Sequence, residues 1–421
     1  MSDQSYDVVV VGAGPGGAAS AILLARQGLS VLAIDRKPDE TAYKKVCTTF
    51  IQRSALPVIE KLGLKDKLDA AGAIRNSAEI WTEFGWIKDE GAGEADTAHG
   101  YSVRRKVLDP LLLELMTAEP TLTLHLGATL TDLTADETGT FRRLSYTTAD
   151  GPVRVSAKQI VLADGRGSPG AKLAEVPTKK RENNRFVYYS YYQNMPLKTG
   201  KTAQFWQVGR DMGFAYPFDG DLTMLCSFVC EENYAAWGAD KRGALESFFR
   251  DLPNAPDQSG AVPASEIRGM RKLNDYWRPA SYKGLALVGD ACMSCDPMSG
   301  VGCGFAMQAA DWMAERVGPA LLSGQGQQAA LSAYAKQHKS MLAGHEYFIR
   351  DASSGREANL LEKLISRAAV RDPVVAHRLH LFIGRVTRWN QFLTPGTVVR
   401  ILRANLRPAP ASTGGLRHAR S

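Results

Sequence analysis

The chain contains 421 residues, of which 44% are hydrophobic, and its 51 Lys and Arg residues against 44 Asp and Glu give a formal net charge of +7. At about 150 residues per domain, this length predicts two or three structural units with a large buried core, which excludes a small disulfide scaffold. Charged residues make up 23% of the chain, and no apolar run approaches the roughly 18 residues that cross a bilayer. These features exclude a disordered chain and a membrane-spanning protein.

The amino terminus lacks the basic and apolar regions of a signal peptide, because the first apolar run, Val8 to Val11, has only the length of a strand. We therefore expect a cytoplasmic protein whose cysteines are mostly reduced and form no structural disulfides. No basic stripe or motif typical of nucleic-acid binding is present, so we expect a phosphate-rich small ligand and no nucleic acid. The six cysteines are Cys47, Cys226, Cys230, Cys292, Cys295 and Cys303.

The first elements in chain order form a predicted βαβ unit. It consists of a buried strand at 6–11, a glycine-rich turn, a helix from about 16 to 27 and a second strand at 30–34. An amphipathic helix follows around 107–116. Short strands are then predicted at 122–126, 130–133, 141–147 and 153–155, and a buried strand at 159–162.

The second half of the chain predicts a separate sheet and a helical end. An aromatic-rich strand at 186–192 is followed by strands at 204–208, 213–218 and 222–230, which indicate an antiparallel-sheet domain. A buried strand at 285–288 and a long helix at 302–322 return to the first domain, and the pattern beyond 325 is helical nearly to 404. The predicted units are 1–180 with 276–325, then 181–275, then a helical region at 326–406 and a disordered tail at 407–421.

Residues 12–17 (Gly12-Ala13-Gly14-Pro15-Gly16-Gly17) have the pattern G-x-G-x-x-G between a predicted strand and a helix. Gly12 permits the tight turn, Gly14 lets the backbone approach a pyrophosphate, and Gly17 allows the helix to pack closely on the strand. Asp35, eighteen residues after Gly17, is placed to accept hydrogen bonds from a ribose diol. The pattern therefore predicts a dinucleotide at the helix N-terminus, whose amides and positive dipole end face the phosphates.

Three later segments distinguish FAD from NAD as the dinucleotide. They are Arg105-Lys106-Val107-Leu108-Asp109, Ala163-Asp164-Gly165-Arg166-Gly167-Ser168, and Gly289-Asp290-Ala291 with Asp296-Pro297-Met298-Ser299-Gly300-Val301-Gly302. With them, the chain resembles the FAD-dependent monooxygenase superfamily of the p-hydroxybenzoate hydroxylase fold, which also includes flavin-dependent halogenases and geranylgeranyl reductases. The resemblance implies an α/β fold with an FAD-binding Rossmann-like domain, a second antiparallel-sheet substrate domain and a helical C-terminal region.

The resemblance also implies roles for single residues. Asp290 would bind the ribityl chain of FAD, Pro297 would flank the flavin ring, and the segment from Gly300 through Gly302 to Gly304 would present a helix N-terminus to the flavin N1–C2=O edge. The full set of predicted cofactor-binding residues is Gly12, Ala13, Gly14, Gly16, Gly17, Asp35, Arg36, Arg105, Asp164, Asp290, Pro297, Gly300 and Gly302.

Alternatives stay open for three of these residues. Arg105 matches an arginine near the dinucleotide, with a surface charge as the alternative. Arg36 matches a basic residue after the ribose acid, with a solvated side chain as the alternative. Asp164 matches an Asp-Gly pair that contacts FAD and the reduced nicotinamide, but also a simple Asp-Gly turn.

Two cysteine patterns carry weaker signals. Lys45-Val46-Cys47-Thr48-Thr49 resembles the Lys-x-Cys-Gly-Gly of geranylgeranyl reductases, with threonines in place of both glycines, and Cys47 is either a reactive thiol beside the flavin or a small packing residue. Cys292-Met293-Ser294-Cys295 is a C-x-x-C, but the seven histidines supply no further zinc ligands at a suitable spacing. We predict packing residues in the flavin loop there and no metal site.

The substrate pocket is predicted from aromatic residues on the second sheet, namely Trp206, Phe214 and Tyr216, which are equally compatible with core packing. Tryptophan halogenases have a motif like W-x-W-x-I-P where this chain has Phe214-Ala215-Tyr216-Pro217, which disfavours that activity. The segment Asp296 to Val301 nevertheless matches the D-P-x-x-S-G-V of the halogenase branch.

The resemblance implies a monooxygenase in which NAD(P)H, a transient reductant, reduces FAD and O2 forms a flavin C4a-hydroperoxide that hydroxylates or oxygenates a small, aromatic organic substrate. The sequence does not identify a catalytic base. Two alternatives are a flavin-dependent halogenase fed by a separate flavin reductase and a geranylgeranyl-reductase-like flavoprotein. The arginine-rich end, with Arg400, Arg403, Arg407, Arg417 and Arg420, is either a contact for an anionic membrane or a carrier protein, or a solvated terminus.

Overall fold

The computed structural model describes residues 4–89 and 99–407. Its strands are β1 (Gln4–Val11), β2 (Val31–Ile34), β3 (Phe50–Ile51), β4 (Ile74–Asn76), β5 (Ala78–Thr82), β6 (Gly85–Ile87), β7 (Gly100–Ser102), β8 (Leu122–His125), β9 (Thr129–Ala135), β10 (Phe141–Thr148), β11 (Gly151–Leu162), β12 (Lys179–Arg181), β13 (Arg185–Gln193), β14 (Ala203–Val208), β15 (Asp211–Phe218), β16 (Leu222–Cys230), β17 (Val262–Pro263), β18 (Arg268–Arg271), β19 (Asp275–Trp277), β20 (Ser281–Tyr282), β21 (Leu285–Leu287) and β22 (Met293–Ser294).

The helices begin directly after the first strand and dominate the end of the chain. They are α1 (Pro15–Ala25), α2 (Leu56–Lys61), α3 (Lys65–Ala70), α4 (Arg105–Thr117), α5 (Pro169–Leu173), α6 (Tyr234–Ala239), α7 (Lys241–Arg250), α8 (Gly302–Ser323), α9 (Gln327–Ser353), α10 (Leu360–Arg371), α11 (Pro373–Ile383), α12 (Trp389–Phe392) and α13 (Pro395–Leu406).

The first large sheet has the order β20-β21-β11-β1-β2-β8, and β21, β11, β1, β2 and β8 run parallel to one another. Strands β9 and β10 add an antiparallel hairpin to β11. Helix α1 packs on β1 and β2, helix α8 packs on α1, and the valines and leucines of β1, β2 and β21 are buried. This confirms the predicted Rossmann-like arrangement.

The two strands predicted at 153–155 and 159–162 are one continuous strand, β11, which spans twelve residues. Residues 151–156 pair antiparallel with β10 and residues 155–162 pair parallel with β1. Burial alternates up to Lys158, and only residues 159–162 are continuously buried. The prediction of a break was wrong because the change from alternating to continuous burial occurs within one strand, after the pairing has passed from β10 to β1.

The second large sheet has the order β17-β13-β16-β15-β14-β5-β6, with β18 also on β13. All of its pairs are antiparallel except β14 with β5. Strands β5 and β6 lie within 1–180, the range predicted for the first unit, yet they cover the edge of β14. Trp86 of β6 packs edge-on against Trp206 of β14 at 5.9 Å between ring centroids, so this segment buries its aromatic side chains in the second sheet.

The carboxyl-terminal region is helical from α9 to α13, as predicted. Helices α10, α11 and α13 share a small apolar core that includes Val375, Leu379, Phe382 and Ile401, and Ile87 of β6 joins it. The predicted disordered tail lies outside the described residues, apart from Arg407 at the end of α13. Within 4–89 and 99–407, no helix is long and apolar enough to span a membrane.

Candidate active site

Four of the predicted cofactor-binding segments follow the carboxyl ends of neighbouring parallel strands in the first sheet. In the parallel register, Val11 of β1 lies beside Ile34 of β2 and Leu162 of β11, and Leu162 lies beside Leu287 of β21. The glycine-rich turn, Asp35, Asp164 and Asp290 follow these strand ends in the chain. Because ligands of open α/β sheets bind outside the carboxyl ends of the strands, the region around these four strand ends is the candidate site.

The glycine-rich turn shows which glycines the fold itself requires. Gly12 has φ +102°, and a Cβ on it would lie 2.5 Å from the Ala163 carbonyl oxygen, while a Cβ on Gly17 would lie 1.7 Å from the Gly12 oxygen. A Cβ on Gly16 would press on Val288 and Ala306 at 3.1 and 3.2 Å, so this glycine lets α1 approach α8.

Gly14 is different, because a Cβ there would meet no protein atom within 4 Å, and its backbone is extended, with φ −77°. Neither packing nor conformation therefore requires a glycine at this position. A ligand that must approach the backbone at the start of α1 does require one. The residues present thus fit the pyrophosphate of a dinucleotide.

Asp35 connects the glycine-rich turn to the end of β2 by hydrogen bonds. Its Oδ2 accepts a 2.5 Å hydrogen bond from the Ala13 amide, and its Oδ1 accepts one of 2.8 Å from the Lys37 amide. The carboxylate is half-buried, whereas the Arg36 side chain is exposed. Asp35 therefore orients the turn in addition to its predicted role toward a ribose.

Arg105 lies in the protein interior and is not a surface charge. It is 6% exposed, and its Nε donates a 2.5 Å hydrogen bond to Oδ1 of Asp109, one turn along α4. The other oxygen of Asp109 accepts from the Lys44 amide at 3.1 Å and lies 3.6 Å from Lys37 Nζ. This ion-pair network connects α4 to the segments that follow β2.

Asp164 uses both carboxylate oxygens within the protein. Oδ1 accepts from the Ser168 hydroxyl at 2.6 Å and Oδ2 from the Gly170 amide at 2.7 Å, at the start of α5. Burial raises the pKa of the Asp164 carboxyl. These contacts favour the turn-forming interpretation of this Asp-Gly pair over a direct contact with cofactor.

The flavin loop, which we define as residues 289–304, is held in place by its own aspartates. Asp296 is fully buried, accepts from the Met298 amide at 2.9 Å and from Asn183 Nδ2 at 2.6 Å, and its pKa is raised to about 6 by burial. Asp290 is half-exposed, with Lys44 Nζ 3.8 Å from its Oδ2. Asp290 is thus the carboxylate of the loop that is accessible to polyol hydroxyls.

Helix α8 starts at Gly302 inside the flavin loop and presents uncapped amides. Its N-cap residue, Val301, makes no side-chain capping hydrogen bond, and the first turn contains no acidic residue. A Cβ on Gly302 would lie 3.9 Å from Oδ1 of Asp290, so the helix start and this carboxylate are neighbours. Such a terminus stabilises negative charge on a ligand, which suits the N1–C2=O edge of a reduced flavin.

Cys47 and Cys303 form a thiol pair that sequence reasoning did not connect. Hydrogen bonding by the neighbouring Cys303 thiol lowers the pKa of the Cys47 thiol well below its usual value, and the positive charges of Arg105 and Lys44 lower it further. Burial opposes this shift but does not cancel it. Of the two thiols, Cys47 is therefore the one whose pKa is lowered, whereas the pKa of Cys303 is raised.

The chain around Cys47 keeps a conformation that suits glycine. Thr49, in place of the second glycine of the reductase pattern, has φ +40° and is buried, which is a strained conformation for a β-branched residue. The Cys47 amide donates to the Tyr189 hydroxyl at 3.2 Å, and this hydroxyl donates to the Lys45 carbonyl at 3.1 Å. These bonds fix the segment against the second sheet.

We expect iodoacetamide to alkylate Cys47 of the FAD-free protein at neutral pH, well before Cys295. The alkylation rate follows the thiolate fraction, and the lowered pKa gives Cys47 a larger thiolate fraction at any pH than Cys295, whose pKa is raised by burial. Mass spectrometry of the modified peptides across pH measures both rates.

The Cys303→Ala variant is the matched test of this assignment. Loss of the hydrogen-bond donor raises the Cys47 pKa, so the half-maximal pH of alkylation moves upward. An unchanged profile in this variant, or a Cys47 profile centred near the ordinary thiol value of about 8.5, contradicts the thiol-pair assignment.

Both cysteines of the C-x-x-C motif belong to the flavin loop, where Cys292 is buried and Cys295 is partly exposed. Cys292 is 1% exposed, its Sγ lies 3.4 Å from the Arg278 carbonyl oxygen, and burial raises its pKa to about 12. All six cysteines are free thiols. Within 4–89 and 99–407, no group of three or more His, Cys, Asp or Glu residues is arranged to hold a metal ion.

An aromatic cluster on the second sheet faces the flavin loop. Phe205, Phe214 and Tyr216 share one buried face of β14 and β15, and Phe50 packs on this face with its ring centroid 5.8 Å from Phe205 and 5.2 Å from Tyr216. Phe50 also borders the loop, because a Cβ on Gly300 would lie 3.3 Å from it. We call Phe50, Phe205, Phe214 and Tyr216 the aromatic cluster.

Trp206 is not part of this cluster. It points to the opposite face of the sheet, where it packs edge-on against Phe249 of α7 at 5.7 Å and its indole donates to the Pro253 carbonyl at 2.8 Å. The alternation of β13 likewise places Tyr189 and Tyr191 on the face of the aromatic cluster and Tyr192 on the face of Trp206. Only Phe214 and Tyr216 of the predicted pocket residues therefore face the loop.

Four residues of this site were missed by the sequence analysis: Phe50, Phe205, Cys303 as the partner of Cys47, and Lys44 beside Asp290. None lies in a motif with a fixed spacing to its partner, since 256 positions separate the two cysteines in the sequence. The available signal was only local, because Cys47 belongs to the segment that resembles the reductase pattern and Lys44 directly precedes this segment.

Comparison with known families gives an independent result. The family model described as an FAD binding domain matches residues 5–345. Menaquinone reductase of Mycobacterium tuberculosis is 27% identical over 327 residues, which cover 74% of this chain and 76% of that protein. Kynurenine 3-monooxygenase of Salinispora tropica is 28% identical, over 72% of this chain and 70% of that protein.

A solved structure agrees in fold. The p-nitrophenol 4-monooxygenase of Pseudomonas putida DLL-E4 superposes with a TM-score of 0.75 at 15% identity, over 92% of this chain and 100% of that one. At this identity the likeness shows the architecture and not the substrate.

Proposed function

The chain belongs to the family of this FAD binding domain and is an FAD-dependent oxidoreductase, and from that premise we propose that it is a monooxygenase. Its reaction uses NAD(P)H and O2 to oxygenate a small aromatic compound. The observation that supports this function is the aromatic cluster, which lies directly against the flavin loop. The similarity to a kynurenine 3-monooxygenase points to the same class of reaction.

Within this proposal, FAD supplies the redox chemistry when it is reduced by NAD(P)H and exposed to O2. The glycine-rich turn and Asp35 hold its dinucleotide part, and Asp290 holds its polyol. Arg105, Lys44 and the uncapped start of α8 provide preorganised positive potential where the reduced ring carries negative charge.

The aromatic cluster binds and orients the substrate. Its rings are almost completely buried, between 1% and 8% exposed, so they exclude water from the face of the loop and leave only their small exposed parts for contact with another ring. Positioning an aromatic substrate there lowers the entropic barrier to attack. Burial raises the pKa of the Tyr216 phenol well above its usual value, so this residue stays protonated and does not act as a base.

A second candidate function is a saturating reductase of a quinone or prenyl chain. The similarity to a menaquinone reductase and the Lys45-x-Cys47 fragment favour it. So does the left-handed backbone of Thr49, because it retains a conformation that a glycine of the reductase pattern would adopt. A flavin-dependent halogenase that works with a separate flavin reductase or a carrier protein is a third outcome, which Phe214-Ala215-Tyr216-Pro217 disfavours.

Oxygen-18-labelled O2 tests the proposal on the purified FAD-loaded protein with NADH or NADPH and a panel of phenols, anilines and indoles. We expect the correct substrate to accelerate NAD(P)H oxidation by about tenfold or more and to gain one labelled oxygen atom. Tyr216→Leu should lower product formation, whereas Trp206→Phe, on the opposite face of the sheet, should leave it unchanged.

Two results overturn the monooxygenase proposal. The reductase replaces it if a quinone or prenyl compound gains two hydrogens without O2 and no labelled oxygen appears in any product. The halogenase replaces it if NAD(P)H reduces the flavin only after a flavin reductase is added and the product then contains bromine from added bromide.

A further inference from the structure

The net positive charge of this protein arises from its carboxyl-terminal region. Residues 360–421 contain eleven Lys and Arg but only two acidic residues, Glu362 and Asp372, a net charge of +9. Residues 1–359 contain 40 Lys and Arg against 42 Asp and Glu, a net charge of −2. The excess of +7 over the whole chain therefore arises from the last helices and the tail, and such asymmetry is typical of a contact with an anionic surface.

Helix α13 divides into a packed face and an exposed apolar stripe. Thr397, Ile401 and Ala404 are buried against the neighbouring helices. The stripe consists of Val398, Val399, Leu402 and Leu406, whose exposed fractions are 40%, 44%, 56% and 84%. At 100° per residue these four side chains fall within about 100° of arc, so they form one continuous face and not scattered exposed residues.

A row of arginines borders this stripe. Arg400, Arg403 and Arg407 lie on the adjacent part of the helix circumference, and residues 395–407 contain no acidic side chain. Arg400 pairs with Asp372 at 3.0 Å. Within the described ranges 4–89 and 99–407, no ion pair involves Arg403 or Arg407.

Helix α10 extends the apolar surface. It packs on α13, where Asn405 Nδ2 donates to the Leu364 carbonyl at 2.9 Å and Arg371 Nη1 donates to the Ala404 carbonyl at 3.1 Å. Leu360 and Leu361, one turn before Leu364, are 74% and 48% exposed. The exposed leucines of both helices therefore belong to one region of the molecule.

We propose that α13 docks on an anionic lipid surface, with its apolar stripe in the headgroup–acyl boundary and Arg403 and Arg407 on the lipid phosphates. An amphipathic helix that places arginines beside an exposed apolar stripe has the pattern of an interfacial helix, and each arginine near an anionic bilayer adds to the attraction. A nucleic acid or an acidic protein would explain the arginines, but a nucleic acid would give the exposed leucines and valines nothing to contact. The proposal is independent of the reaction assigned to the FAD site.

Flotation of the full-length, FAD-loaded protein with vesicles tests the proposal. We expect binding to phosphatidylcholine vesicles that contain phosphatidylglycerol, little binding to pure phosphatidylcholine vesicles, and a loss of binding as salt is raised. The double variant L402Q/L406Q should weaken binding by about tenfold or more, because it removes the apolar contact without changing the charge. R403Q/R407Q should weaken it by a similar factor.

Two control variants test whether the loss of any exposed leucine or arginine weakens vesicle binding. Leu322→Gln changes a leucine that is 58% exposed at the end of α8, and Arg250→Gln changes an exposed arginine of α7. Both should bind vesicles as the unchanged protein does, and circular dichroism should show that all four variants remain folded.

The proposal is overturned if the protein does not distinguish anionic from neutral vesicles, or if L402Q/L406Q binds as tightly as the unchanged protein. It is also overturned if single-stranded DNA competes fully with vesicles and binds L402Q/L406Q without loss, since the surface would then recognise charge alone.

Discussion

Replacement of Gly14 by valine is expected to weaken FAD binding by at least about 100-fold, or about 2.7 kcal/mol, without unfolding the protein. The extended backbone of Gly14 accommodates any residue, and a side chain there meets no protein atom within 4 Å. The same side chain occupies the space through which a pyrophosphate approaches the start of α1. Equilibrium dialysis or quenching of FAD fluorescence measures the affinity, and circular dichroism of the FAD-free proteins measures the fold.

Gly344→Val is the control for this substitution. A Cβ on Gly344, within α9, also meets no protein atom within 4 Å, so the variant tests the cost of a β-branched residue away from the site. It should bind FAD normally. If Gly14→Val retains FAD with unchanged affinity, the dinucleotide does not lie on this turn and the placement of the whole site is wrong.

Arg105→Met should cost about 3 kcal/mol of unfolding free energy in the FAD-free protein. Asp109 is fully buried as a side chain, and the substitution removes the guanidinium at 2.5 Å, which leaves the Lys44 amide and the more distant Lys37 ammonium as partners. An uncompensated buried carboxylate is strongly destabilising. Urea denaturation of the variant and of the unchanged protein measures the difference.

Two further variants identify the cause of this loss. Lys67→Met breaks an exposed pair with Glu114 at 2.7 Å and should cost less than about 1 kcal/mol. Arg105→Met combined with Asp109→Asn should recover part of the stability, because the buried charge is then absent. If the double variant is as unstable as Arg105→Met alone, the arginine stabilises by packing and not by charge.

The sequence by itself determined the cofactor and the framework that holds it. Gly12, Gly17 and Asp35 predicted the βαβ turn because its backbone conformation and close packing depend on residues near one another in the chain. The structure places all three at the carboxyl ends of the strands, as expected. Strand boundaries were less predictable, as β11 shows, because burial depends on which strands become neighbours.

Only the tertiary structure decided how distant residues combine. Phe214 and Tyr216 face the flavin loop while Trp206 faces α7, since alternation along a strand is visible in the sequence but the face that meets the loop is not. Asp164 caps α5, Arg105 is buried on Asp109, and Cys47 meets Cys303 across the site. The contact of Cys47 with Cys303 joins segments far apart in the chain, which no local pattern encodes. The partners of Asp164 and Arg105 are close in the chain, but the burial of these two side chains depends on the elements that pack over them.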